Sequence, residues 1–314
     1  MNAEGTNPTN VTDNLSGRHR FPDWSQGNCP TQQDAGAVHT PSTRRPLRHT
    51  ILPSVLVAAM LAACSQEAPL TGHSPLPAEA LAGKIDCPGG GKPAPGTLVR
   101  GGLEVNGQCL LDRVTVGGGI VVDPGGDLEI EASTVSGGIA VAPCGELEID
   151  LADHATPSGA TSTVNGDIVI QASATCTFPA FSDLDIWTAR INGSVSVTGS
   201  YLGGPTICGN AITGDVTLDH LTSAHPLWLG DPDGALGCPG NTIGGTLAVR
   251  SSSSPRRIEV ESNSVAGSVL LNASTLELNE NTIDGNLTCS NGTVILSGED
   301  PDPSDNTVHG TSSC

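Results

Sequence analysis

Ten cysteines are the residues of this 314-residue chain with the plainest chemistry. Cys64 stands directly after the apolar run 51–63, and Cys29 lies further upstream in a polar stretch. The other eight are Cys87, Cys109, Cys144, Cys176, Cys208, Cys238, Cys289 and Cys314. They form no C-x-x-C, and no His lies near them at zinc-ligand spacing. An even set of such thiols in an exported chain is a disulfide framework rather than a metal centre. Candidates for acid–base work are sparse. Asp219-His220 and His225 are the acid–histidine candidates singled out, and no Asp-Asp pair offers the clustered carboxylates that hydrolysis needs. The acidic turns Asp231-Pro-Asp233-Gly and Glu299 to Asp305 could hold calcium weakly, but neither follows a calcium-loop pattern and simple solvation accounts for them. No nucleotide loop or Gly-x-Ser-x-Gly is present. The expectation is therefore no enzyme activity, no cofactor and no metal.

The elements that must position these residues are strands. One pattern recurs ten times: a β-branched residue, any residue, Gly, any residue, an aliphatic, any residue, an aliphatic. Its copies begin at Val99, Val116, Val135, Val164, Ile191, Ile212, Ile243, Val265, Ile283 and Val308, the last being degenerate. Period-two alternation marks a half-buried strand. The Gly sits on the inward parity, where it saves core volume or permits a positive φ. A second short alternating run follows in most copies, as in Leu128-Glu-Ile130 and Leu276-Glu-Leu278. No helix-period segment fills the gaps. Strands repeated every 17 to 31 residues cannot bury their own apolar faces, so coils must stack and share one core. The expected fold is all-β: a single right-handed parallel β-helix of about ten coils, stapled by disulfides.

Asn lies two residues before the β-branched position in five successive copies, at Asn210, Asn241, Asn263, Asn281 and Asn306. Asparagine tolerates left-handed turns, and stacked asparagines can form a hydrogen-bond ladder. The cysteines also keep phase. Residues in one phase of adjacent coils lie about 4.8 Å apart, within reach of a disulfide. Cys208–Cys238 and Cys289–Cys314 are the pairs this predicts, with Cys144–Cys176 and Cys87–Cys109 completing the set. All aromatics beyond residue 63 lie in the middle of the chain: Phe178, Phe181, Trp187, Tyr201 and Trp228. The longest coils fall in the same region, and insertions in solenoids often build the binding face. Trp187, Tyr201 and Trp228 are the candidate ligand contacts. Exposed rings would stack on a glycan or cell-wall component; the alternative is that they cover the core beneath longer loops.

Compartment is read from the N-terminal region. Arg44-Arg45-Pro46-Leu47-Arg48, the 13-residue apolar run and small residues before Cys64 have the layout of an export signal. The run is shorter than the roughly 20 residues of a spanning helix. Leu61-Ala62-Ala63-Cys64 resembles the lipobox of bacterial lipoproteins, in which the cysteine is lipidated and becomes the first mature residue. That resemblance implies a protein held at the extracytoplasmic face of the cell membrane by a lipid on Cys64. Four segments follow: 1–43, a disordered extension or a misassigned start; 44–63, the signal peptide; 64–86, a Pro-, Gly- and Ala-rich tether; and 87–314, the β-helix. Beyond residue 63 the net charge is about −21, which excludes nucleic acid as a partner because phosphate binding needs a basic footprint. The repeats, with the ending Asn281-Thr-Ile-Asp-Gly285-Asn-Leu-Thr-Cys289, resemble secreted right-handed β-helix proteins of bacteria, among them a repeat type common in actinobacterial exported proteins. Pectate lyases and polygalacturonases share that scaffold, so a degenerate carbohydrate-active enzyme is one alternative. A self-associating structural rod is another.

Overall fold

Alternation at period two is realised as short strands throughout. The structure is a computed structural model that describes residues 85–87, 91–150, 161–173, 175–176, 184–200, 202–223, 225–232, 237–254, 257–273, 275–290, 294–296 and 306–314. These all belong to the unit Pro69–Cys314. The proposed signal at 44–63, Cys64 and the stretch before them lie outside the described residues, as do Phe178, Phe181, Tyr201, Asp233 and Glu299 to Asp305.

The described residues contain strands of two to six residues and no α-helix. They form three sheets of eleven, nine and ten strands, and every pairing between strands is parallel. Within each sheet, neighbours along the stack are three strands apart in the chain over most of its length. One turn of chain thus gives one strand to each sheet, the arrangement of a parallel β-solenoid. A single turn illustrates it: Thr134–Val135 joins the ten-stranded sheet, Ile139–Val141 the eleven-stranded and Glu146–Ile149 the nine-stranded. The eleven-stranded sheet begins at Ile85–Asp86, which pairs with Leu103–Glu104, two residues ahead of the boundary expected at 87.

Register places like on like. Val116, Val135, Val164, Ile191 and Ile212 stack in one column, paired coil to coil. Inward residues of all three sheets merge into one apolar core running from Val99 to Leu287. Side chains on the opposite parity, such as Thr134, Ala140 and Glu148, are partly exposed.

The recurrent glycine answers a different need from the one expected. Gly118, Gly137 and Gly166 lie at bends, half-buried, and none has a positive φ. A Cβ on Gly137 would stand 2.7 Å from the backbone nitrogen of Gly119, and one on Gly166 only 2.6 Å from that of Gly138. Glycine is required because successive backbones meet there along the stack, as in the Gly137 N–H bond to the Gly118 carbonyl at 3.1 Å. The left-handed conformation instead falls one residue before the asparagine position. Gly209, Ser262 and Glu280, with φ of 67°, 55° and 55°, precede Asn210, Asn263 and Asn281. Arg113, Ala132 and Thr188 do the same in coils that carry Val, Ser or Ala at that position.

The asparagines themselves point inward and form the expected ladder. Nδ2 of Asn210, Asn241 and Asn263 each donates to the Oδ1 of the next asparagine at 3.0 Å, and Asn281 donates to Asn306 at 2.9 Å. Each Oδ1 also accepts the backbone N–H of the coil before it, as Asn241 does from Asn210 at 3.0 Å. The second Nδ2 proton satisfies a carbonyl at the end of a nine-stranded-sheet strand, such as Ile207 for Asn241. Four buried amides are thereby paired in a place water does not reach. Four disulfides join the cysteines as Cys87–Cys109, Cys144–Cys176, Cys208–Cys238 and Cys289–Cys314.

Candidate functional site

Of the aromatic candidates, Trp187 and Trp228 sit on the outward side of the nine-stranded sheet. Trp187 ends the strand Leu184–Trp187 and is in register with Cys208. It is 7% exposed, packed with the buried Cys208–Cys238 disulfide in a small cluster separate from the main core. Trp228, half-buried, packs against the same cluster. The disulfide therefore covers Trp187, while Trp228 keeps part of its ring at the surface. Cys238 is held by an antiparallel bridge to Asp231, with N···O distances of 2.7 and 2.9 Å in the two directions. Gly230 and Gly237 flank that bridge in left-handed conformations, at φ of 79° and 58°.

Asp231 leads into a carboxylate cluster one and two coils further on. Trp228 pairs with Glu259, and Glu259 with Glu277, while Glu261 pairs with Asn279. Alternation turns all of these outward, yet Glu259, Glu261 and Glu277 are only 4%, 9% and 4% exposed. Arg257 is the cation of the group. Its Nε is 2.7 Å from Glu259 Oε1, and a terminal nitrogen is 2.7 Å from Glu277 Oε2. The second contact is ionic without hydrogen-bond alignment, so Glu277 Oε2 has no donor. Asn279 Nδ2 donates to Oε1 of both Glu261 and Glu277 at 3.2 Å, and its own Oδ1 is buried without a partner.

Burial and crowding reshape the protonation of this group. Glu259 is pushed up from 4.5 to about 7, first by burial, then by its hydrogen bond to Asp231 and that group's charge; Arg257 opposes the shift. Glu261 is pushed up to about 7 by burial and by the charges of Glu277, Asp231 and Glu259, against the hydrogen bond from Asn279. Burial works against the charge of Arg257, but Glu259 and Glu277 outweigh it and the guanidinium pKa is raised. The chemistry available is proton storage near neutral pH in a covered site. Sequence reading misses this cluster because no two of its acids are adjacent. It arises from Glu-x-Glu at outward parity, an acid 18 residues later, and Asp231 from a long coil.

The other sequence candidates are placed apart from it. Asp219 Oδ1 lies 2.9 Å from Nδ1 of His220, whose side chain is 66% exposed. Arg250 lines a shallow surface depression with Leu270, Asn272 and Thr288 on the eleven-stranded sheet. Among the described residues no group of three or more His, Cys, Asp or Glu is arranged to hold a metal ion. No protein-family model matches the chain, and no curated protein or solved structure matches it.

Proposed function

We propose that this chain is an exported lipoprotein whose disulfide-stapled solenoid works as a non-enzymatic binding or display module at the cell envelope. The observation that carries the reading is the set of four disulfides joining coil to coil. Such frameworks form and persist in oxidising, extracytoplasmic compartments. The lipobox-like Leu61-Ala62-Ala63-Cys64 supplies the anchor, with lipid on Cys64 and the stretch after it as tether. The solenoid is a single right-handed β-helix of about ten coils, since right-handed crossovers are the strong rule for parallel strands and the repeat occurs ten times.

The expected partner is a glycan or cell-wall component met at the aromatic region. Trp228 supports this with a partly open ring, and Tyr201 belongs to the same long-coil region. Trp187 contributes from beneath the disulfide. The enzyme reading is weaker, because the carboxylates with catalytic-range protonation are covered rather than presented to a substrate. Metabolic labelling with a fatty-acid probe tests the anchor. The intact chain should take up label and fractionate with membranes, and Cys64→Ala should lose both. A Cys64→Ala protein that stays membrane-bound with its signal uncleaved would refute the lipoprotein reading.

A further inference from the structure

Arg250 is a cation beside a hollow, without a counterion. Arg113 and Arg257 are committed to acids, at 2.9 Å from Asp112 and 2.7 Å from Glu259. The guanidinium of Arg250 has no ion pair or hydrogen bond among the described residues. Register alone would give it one. Asp219 stands opposite Arg250 on the neighbouring parallel strand, a placement in which opposite charges attract. Asp219 Oδ1 instead lies 2.9 Å from Nδ1 of His220. Arg250 lines the depression with Leu270, Leu271, Asn272, Thr288 and Ser290, all from the two following coils. The sheet is altered at the same point. Arg250 pairs with Asn272 but the next pair is Ser252 with Ala273, which leaves Ser251 unmatched at φ 48°. The pairings on either side keep register. A bulge of this kind bends its strand and re-aims the side chains beside it.

The lining narrows the ligand. A guanidinium presents a planar fork of donors that fits the two oxygens of a carboxylate. No second cation lines the hollow, so a singly charged group is matched there and a phosphate dianion is not. Asn272, Thr288 and Ser290 are exposed and offer both donors and acceptors. Ser290 Oγ donates to the Leu271 carbonyl at 3.2 Å and keeps its lone pairs for a hydroxyl. Leu270, half-buried and in register between Ala248 and Thr288, supplies an apolar floor. A carboxylate, several hydroxyls and an apolar C–H face occur together in a sugar acid. We propose that this hollow binds a carboxylated sugar unit of a glycan, with the carboxylate on Arg250, the hydroxyls on Asn272, Thr288 and Ser290, and the ring over Leu270. The outward column continues without charge from Leu270 through Ala248 and Thr217 to Ser196, a path along the stack for the rest of the chain. The net charge of about −21 beyond residue 63 disfavours a densely charged polyanion and favours sparse carboxylates.

The site gives the proposed envelope role a ligand class, yet it lies on a different sheet from Trp187 and Trp228 and is argued from Arg250 alone. Its test reads neither membrane attachment nor tryptophan, so the two readings fail separately. Binding of methyl glucuronide to the full chain is followed by saturation-transfer NMR. Methyl glucoside, which lacks the carboxylate, should bind roughly tenfold more weakly or worse, and Arg250→Gln should lose affinity for the glucuronide by a similar factor. Arg250→Lys keeps the charge without the fork and should fall between. Arg190→Gln removes another exposed arginine, one outside the hollow, and should bind as the parent does. A hyaluronan hexasaccharide should bind more tightly than the monosaccharide if the ligand is a glycan chain; equal affinity assigns the site to a free sugar acid. A folded Arg250→Gln protein with the parent's affinity, an equal loss in Arg190→Gln, or displacement of the glucuronide by inorganic phosphate at matching concentration overturns the assignment.

Discussion

Replacing Glu261 with Gln should stabilise this protein at alkaline pH and leave it nearly unchanged at acid pH. Glu261 is 9% exposed, and its folded-state pKa is raised from 4.5 to about 7. A raised carboxyl pKa means the folded state binds the proton more tightly than the unfolded chain does. The associated stability is complete below about pH 4.5 and is lost as pH rises through about 7. At about 1.4 kcal/mol per pKa unit, the loss approaches about 3 kcal/mol by pH 8.5. Glu259 contributes a loss of the same sign, though the two share neighbours and do not add. The amide of Gln resembles the protonated acid in shape and neutrality, so the variant should escape its share. Urea unfolding followed by circular dichroism, with disulfides intact, supplies the comparison. The parent should have a lower midpoint at pH 8.5 than at pH 5.5. Glu261→Gln should recover up to about 3 kcal/mol at pH 8.5, about 1.4 kcal/mol at pH 5.5, where the unfolded chain is already ionised, and less than about 0.5 kcal/mol at pH 4. Equal midpoints for parent and variant at pH 8.5 would refute the argument, because they would mean that Glu261 ionises in the folded state at little cost.

Two further outcomes probe the frame. Asn241→Ala should cost at least about 3 kcal/mol, since it strands the Asn210 N–H, the Asn210 side-chain amide and the Ile207 carbonyl, at about 1–3 kcal/mol for each buried orphan; Asn306→Ala, at the half-buried end of the ladder, should cost clearly less in the same urea assay. Gly137→Ala should lower the melting temperature because its Cβ would meet the Gly119 backbone at 2.7 Å, while Gly107→Ala, whose Cβ meets nothing within 4 Å, should not.

Strand period, parallel stacking and the pairs Cys208–Cys238 and Cys289–Cys314 were legible in the sequence because they depend on phase, whereas Cys144–Cys176 and Cys87–Cys109 followed only as the pairs left over. Val135 and Ile212 recur at the same step of the pattern and end in the same column of the ten-stranded sheet. The asparagine ladder was legible for the same reason. The duty of the glycines was not. Parity assigns Gly137 an inward direction, but the residue lies at a bend where the nearest atoms belong to the next backbone along the stack, and that distance exists only once coils are assembled. The carboxylate cluster was hidden more deeply. Asp231, Glu259 and Glu277 come from three coils of unequal length, and nothing within one copy marks them as neighbours. Outward parity predicts that Glu259 and Glu277 are solvated. Their burial comes from packing around Arg257 and the adjoining coils, which alternation does not encode.

The asparagine ladder spans sequence separations of 31, 22, 18 and 25 residues with nearly the same hydrogen-bond length, 2.9 to 3.0 Å. What the solenoid measures is the return of the chain to its starting angle, not the path it took to get there. Additional residues between one rung and the next are invisible to the frame as long as the circuit closes. The architecture therefore separates inheritance of the scaffold from invention on its surface. Each circuit offers a place where new sequence can be inserted and tried, while the rungs on either side hold the rest of the molecule in register.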